Sequence, residues 1–176
     1  MKAIVAVDRN WGIGREGALL THLPEDMKFF RTTTKGKVVV MGRKTLQSFP
    51  DGKPLKNRMN LVLTSDREYQ TEGVLVCHSV PELLRELESY ASDEVYIIGG
   101  QSVYEQFLPY CDTAYVTYMK REFCPDTYFP NLERMGNWKL AKCGEEKEYE
   151  GLRFEFRTYC NADTKRIDSM ELKGED

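Results

Sequence analysis

Apolar runs and amphipathic stretches alternate along the first two thirds of the chain. Val38-Val39-Val40-Met41 and Val95-Tyr96-Ile97-Ile98 are almost wholly apolar, as central strands covered on both faces must be. Strands are expected at Ala3–Asp8, Val38–Met41, Asn60–Thr64, Val74–Cys77, Glu94–Ile98, Thr113–Tyr118, Trp138–Lys142 and Leu152–Tyr159. The last sets Leu152, Phe154 and Phe156 against Arg153, Glu155 and Arg157, which predicts a hairpin or edge strand with one exposed face. Helices are expected between the early strands: Glu25–Thr33 behind Pro24, a short turn or helix start at Thr45–Ser48, a capped helix from Ser79 with Leu83, Leu84 and Leu87 on its apolar face, and Ser102–Leu108 after Gly99-Gly100. Ser79-Val80-Pro81-Glu82 has the spacing of a capping box. Alternation that gives way to a final β run predicts an α/β domain over residues 1–160. It has a mostly parallel central sheet, helices on both faces and an antiparallel C-terminal β hairpin. Residues 161–176 are polar and charged, and are expected to form a frayed or disordered tail.

Size and charge narrow the classes. A length of 176 residues suits one domain with a substantial core. The net charge of −3 argues against a nucleic-acid partner but leaves room for a local cationic pocket. No apolar run approaches a membrane span, and the start lacks the cleavage pattern of a signal peptide. Five scattered cysteines, with no Cys-x-x-Cys pair, predict free thiols in a reducing cytoplasm. His22 and His78 have no partner at ligand spacing, so no metal is expected. No interface stripe is evident, which predicts a monomer.

Asp26 stands out. Pro24 suits the first turn of a helix, which puts Asp26 in that turn with Phe30 and Thr33 on its face and Met27 widening the apolar stripe. A first-turn acid can simply complement the helix dipole. It can also be a buried acid that holds or protonates a ligand. Gly12-Ile13-Gly14-Arg15-Glu16-Gly17 matches G-x-G-x-x-G, but about ten residues separate its glycines from the next helix. A dinucleotide fingerprint needs the helix to begin inside the motif, so this stretch reads as a long glycine-hinged loop, of the kind that forms lids. Gly42-Arg43-Lys44-Thr45 misses the Walker spacing, yet a strand ending in glycine with two cations beside it suits an anion. Gly99-Gly100-Gln101-Ser102 repeats the arrangement. Two such turns favour a ligand with more than one phosphate, at the carboxyl ends of strands.

Four pieces carry a resemblance: Ala6-Val7-Asp8-Arg9-Asn10 with Ile13-Gly14, Leu23-Pro24-Glu25-Asp26-Met27-Lys28-Phe29-Phe30, Val40-Met41-Gly42-Arg43-Lys44-Thr45, and Ile97-Ile98-Gly99-Gly100-Gln101-Ser102-Val103-Tyr104. With Pro54-Leu55-Lys56-Asn57-Arg58, Leu63-Thr64-Ser65 and Asp126-Thr127-Tyr128-Phe129-Pro130, their order resembles bacterial dihydrofolate reductases over about residues 1–160. The resemblance implies NADPH-dependent reduction of dihydrofolate, with hydride delivered to C6 and a proton to N5. Asp26 matches the family carboxylate that holds the pterin, and Thr117 the threonine that fixes it. Ile4, Ala6, Met27, Phe30, Phe49, Leu55 and Ile98 match the substrate pocket, and Arg58 the grip on the glutamate carboxylate. For NADPH, Arg43, Thr64 and Ser65 match the 2′-phosphate region, with Lys44 and Thr45 near the phosphates. His78 matches a cofactor-edge position. Ala6, Ile13, Gly14, Leu19, Gly42, Leu63, Gly99, Gly100, Gln101, Ser102, Val103 and Tyr104 complete the implied cofactor set.

The chain departs from the family at two places. Leu20-Thr21 stands where the lid usually carries Pro-Trp, and Ser102 where some members carry a basic residue. Two alternatives share the fold: a pyrimidinone reductase of riboflavin synthesis, and a noncatalytic nucleotide- or pterin-binding relative.

Overall fold

The two apolar runs do form the middle of a sheet. In the computed structural model, which describes residues 1–167, the strands are β1 (Lys2–Val7), β2 (Gly12–Arg15), β3 (Ala18–Leu19), β4 (Val38–Gly42), β5 (Met59–Leu63), β6 (Leu75–Cys77), β7 (Val95–Gly99), β8 (Thr113–Met119), β9 (Thr127–Tyr128), β10 (Trp138–Cys143), β11 (Lys147–Tyr149) and β12 (Leu152–Asn161). The helices are α1 (Pro24–Thr34), α2 (Arg43–Gln47), α3 (Val80–Leu87) and α4 (Gln101–Phe107). The main sheet runs β10-β12-β8-β1-β7-β4-β5-β6, with β11 paired to β12. The pairs from β8 through β6 are parallel, and those made by β12 are antiparallel.

Alternation along β4 divides the core between the two faces. Val38 and Val40 join the larger cluster, with Leu83, Leu84 and Leu87 of α3 and Val103, Tyr104 and Phe107 of α4. Val39 and Met41 join the opposite cluster, with Leu46 of α2 and, at its edge, Phe29 and Phe30 of α1. Helices therefore cover both faces, as expected. The Ser79 half of the α3 capping box forms, with Ser79 Oγ accepting Glu82 N–H, while Glu82 Oε2 reaches one residue beyond the cap and accepts His78 N–H at 2.6 Å.

Three features differ from expectation. Gly12–Leu19 is not an open loop but the hairpin β2–β3, which pairs with β9 in a separate three-stranded sheet. Its turn residues, Glu16 and Gly17, both have positive φ, 52° and 78°, the twist that two-residue hairpins demand. Strands of four and two residues are too short to show alternation, and Glu16 is not a usual residue for that turn. Secondly, β12 is an interior strand between β8 and β10 rather than an edge, although it does form a hairpin with β11. Glu155 is accordingly buried, at 7% exposure, and its charge is met by Arg157 at 2.6 Å and Lys120 at 3.2 Å. Thirdly, the segment after β12 is tied down at its start. Ala162 N–H donates to Asn137 O, Lys165 N–H donates to Pro109 O, and Ile167 packs against the larger core. The remainder of the tail expected to be frayed, residues 168–176, lies outside the described residues.

Candidate active site

The parallel register brings Ala6 beside Thr117 and Ile4 beside Tyr115. On the antiparallel side Phe156 faces Thr117. The side chains of Ile4, Ala6, Tyr115, Thr117 and Phe156 therefore share one face of the sheet, and α1 lies across that face. Phe29 anchors the helix, with ring centroids 5.1 Å from Phe156 and 6.0 Å from Tyr115. The first turn of α1 then delivers Asp26 to Thr117, whose hydroxyl donates to Asp26 Oδ1 at 2.6 Å. Thr117 is buried at 2% exposure. Burial pushes the Asp26 carboxyl above the ordinary carboxylate range, against the opposing pull of the Thr117 hydrogen bond. Leu23, the residue before the helix, makes no side-chain cap, and the two acids of the first turn engage elsewhere, Asp26 with Thr117 and Glu25 with Lys147.

Ile4, Phe30, Phe49, Leu55 and Ile98 fall in one apolar cluster beside this acid. Ala6 packs at the neighbouring cluster of Leu23, Met119, Leu152 and Phe154. Met27 is 37% exposed and outside both clusters. Phe29, not singled out from the sequence, does the packing that the stripe assigned to Met27. The sequence signal for it was its position three residues after Asp26, on the same side of the helix.

Arg58 is held by α1 and by its own loop. Its Nε–H donates to Thr34 Oγ1 at 2.8 Å, Nη1 to Lys56 O at 2.7 Å and Nη2 to Arg31 O at 3.0 Å. A guanidinium has five N–H groups, so one remains on each terminal nitrogen, the paired arrangement that fits a carboxylate.

The carboxyl ends of β4, β5 and β7 form a second region. Gly99 has φ +126° and Gly100 follows through a cis peptide. A Cβ at Gly100 would meet Thr45 Oγ1 at 3.4 Å, and one at Gly42 would meet Val103 at 3.3 Å. The chain's own side chains, Thr45 and Val103, thus stand close to where a Cβ would sit at these glycines. Arg43 stands at the start of α2 with Lys44 exposed beside it. Leu63 ends β5 with Thr64 and Ser65 following it, and His78 Nδ1 lies 3.1 Å from Thr64 O. Gln101 Oε1 accepts Tyr128 N–H at 2.9 Å, which ties this region to β9 and so to the hairpin carrying Ile13, Gly14 and Leu19. Ser102 accepts from Gln106 through both its carbonyl and its hydroxyl. Val103 and Tyr104 send their side chains into the core, and Tyr104 donates its hydroxyl to Ile4 O at 2.7 Å.

Two residues not read from the sequence join the hairpin to its surroundings. Asp8, fully buried, accepts N–H groups from Asn10, Gly12 and Phe123. Asp126 Oδ2 accepts Glu16 N–H at 2.8 Å. Leu20, at the altered lid, packs on the same cluster as Phe123, while Thr21 is half-buried. Among the described residues no group of three or more His, Cys, Asp or Glu could hold a metal ion.

Comparison with known proteins accounts for this arrangement. A family model described as dihydrofolate reductase matches residues 1–161. A dihydrofolate reductase of Bacillus subtilis (strain 168) is 36% identical over 158 residues, covering 89% of this chain and 91% of its own. One from Staphylococcus aureus is 38% identical over 147 residues, covering 84% and 87%. The solved dihydrofolate reductase of Enterococcus faecalis, complexed with NADP(H) and RAB-propyl, superposes with a TM-score of 0.82 at 38% identity, covering 92% of this chain and 96% of its own. The match runs along almost the whole length of the chain, in sequence and in fold, and the chain belongs to the dihydrofolate reductase family.

Proposed function

We infer that this protein reduces 7,8-dihydrofolate to 5,6,7,8-tetrahydrofolate with NADPH, and that Asp26 is the acid on which the reaction turns. The observation that carries the reading is the Thr117–Asp26 hydrogen bond over the face of β1 and β8. Thr117 occupies one lone pair of Oδ1, so Oδ2 and the rest of Oδ1 remain to accept a pair of N–H groups from a pterin. An ionised Asp26 favours a protonated pterin ring, and water at the edge of the pocket can bring the proton to N5. Ile4, Ala6, Phe30, Phe49, Leu55 and Ile98 supply apolar walls that limit water around the ring. The two remaining N–H groups of Arg58 suit the glutamate carboxylate.

The residues fit a phosphorylated dinucleotide. Gly42, Gly99 and Gly100 leave the strand ends without side chains of their own, and Arg43 supplies a cation at the turn of Thr64, Ser65 and Asp66. NADPH supplies the hydride when bound; the chain supplies alignment and electrostatics. Ala6 and Ile13 are proposed to flank the nicotinamide, and Arg43 to read the 2′-phosphate. A cytoplasmic location belongs to the same reading, supported by five free thiols that suit a reducing compartment, and so does a monomeric state. NADPH oxidation followed with dihydrofolate, with the pyrimidinone intermediate of riboflavin synthesis, and with neither tests the reading. Turnover with dihydrofolate alone is expected. Turnover with the pyrimidinone alone, or with neither, would overturn it.

A further inference from the structure

Arg43 is already engaged by an acid. Its Nη1 lies 2.7 Å from Asp66 Oδ2, and its guanidinium carbon 5.8 Å from the centroid of Tyr69. Asp66 is itself fixed: its N–H donates to Thr64 Oγ1 at 3.2 Å, and its Oδ1 accepts Glu68 N–H at 3.1 Å. One carboxylate oxygen thus caps the turn after β5 while the other faces the arginine. In Rossmann dinucleotide sites an acid accepts the free ribose 2′-hydroxyl, whereas an arginine accommodates a 2′-phosphate; the hydrogen-bond and charge chemistry is the same in any fold that brings those groups to the ribose. Here both stand at one position, in contact.

We propose that Asp66 sets the cofactor preference of this chain. Its carboxylate competes with the 2′-phosphate of NADPH for Arg43 and offers an acceptor to the 2′-hydroxyl of NADH. Discrimination between the two is therefore weaker than Arg43 alone would give. The inference rests on Arg43 as the 2′-phosphate reader. Both side chains are part-exposed, at 34% and 43%, so the effect is modest and salt-dependent.

Titration calorimetry of the full chain with NADPH, NADH, 2′,5′-ADP and 5′-AMP tests it. Asp66→Asn keeps an Oδ1 for the Glu68 N–H, and Asp66→Ser serves as a second variant with a short oxygen acceptor. Either should tighten NADPH and 2′,5′-ADP by about three- to fivefold at low salt, leave NADH and 5′-AMP unchanged or weaker, and lose most of the gain at ~1 M salt, where the Debye length falls to about 3 Å. A preference ratio that stays within twofold, or that falls because Asp66 was orienting Arg43, would overturn the proposal. Arg43→Ala separates the two levels. Selective loss of the 2′-phosphorylated ligands with an unmoved Asp66→Asn ratio overturns the role of Asp66 alone. Equal loss of all four ligands overturns the reading of Arg43, and that of Asp66 with it.

Discussion

Asp26 titrates where its burial costs stability. Its folded pKa lies above the ordinary carboxylate value of 3.8. A group raised on folding contributes its full share of stability below the unfolded pKa, and that share is lost as pH rises through the folded pKa. At neutral pH the buried charge therefore opposes folding. Asp26→Asn, which keeps the acceptor for Thr117, should raise the melting temperature at pH 7, with the gain vanishing below about pH 3.8. Melts of both proteins across pH 3–8 check this, and an Asn variant less stable at pH 7 would contradict it. Arg58 offers a second test at this scale. Arg58→Lys keeps the charge but loses the fork. A charged hydrogen bond contributes roughly 1.5–3 kcal/mol, so KM for dihydrofolate should rise about tenfold to a hundredfold. KM for dihydropteroate, which lacks the glutamate, should stay put; a rise for both would mean that Arg58 serves the fold through Thr34, Lys56 and Arg31 alone.

At the scale of elements, the long apolar strands and the capped helix were legible because their patterns span four residues or more and their signals agree. Boundaries of β4, β7 and α3 fall within a residue or two of expectation. The β2–β3 hairpin was too short to be legible, and its pairing with β9 rests on contacts between residues more than a hundred positions apart, such as Glu16 with Asp126. The candidate site divides in the same way. Asp26 could be singled out by its helix position, but only the register of β1 against β8 brings Thr117 to it. Asp66 meets Arg43, and Phe123 meets Asp8, across stretches of chain that no local pattern connects. Gly12 makes the dependence testable. A Cβ there would meet Pro125 Cγ at 2.1 Å, so Gly12→Ala must push the hairpin from the β8–β9 connection. Overpacking of this kind costs about 1–3 kcal/mol. Denaturant midpoints should fall accordingly, and an unchanged midpoint would show that the connection yields freely. The lid poses the companion question. Leu20, which with Thr21 takes the place of Pro-Trp in the family pattern, packs on one cluster with Phe123. If Phe123 supports the lid, Phe123→Ala should slow single-turnover hydride transfer about 10- to 100-fold while NADPH affinity holds. Phe123→Trp should restore the rate, and equal loss of rate and affinity would point to general unfolding of the loop.

For the whole molecule, one sheet spans the acid and the glycine edges. β1 lies between β8, which carries Thr117, and β7, which ends in Gly99. Within this one layer, β1 thus joins the strand that meets Asp26 to the strand that ends in the glycines. The central claim is that this layer, with Asp26 laid on it by α1, aligns and protonates dihydrofolate beside NADPH. Stopped-flow single-turnover reduction with NADPH deuterated at C4, in the native protein and in Asp26→Asn, with NADPH affinity measured in parallel, tests it most directly. The account predicts a loss of ~10²–10⁴ in the hydride rate near neutral pH, partial recovery as pH falls and solution protonates the pterin, and unchanged NADPH binding. Hydride rates within a factor of two of each other, or a loss matched by loss of NADPH, would contradict it.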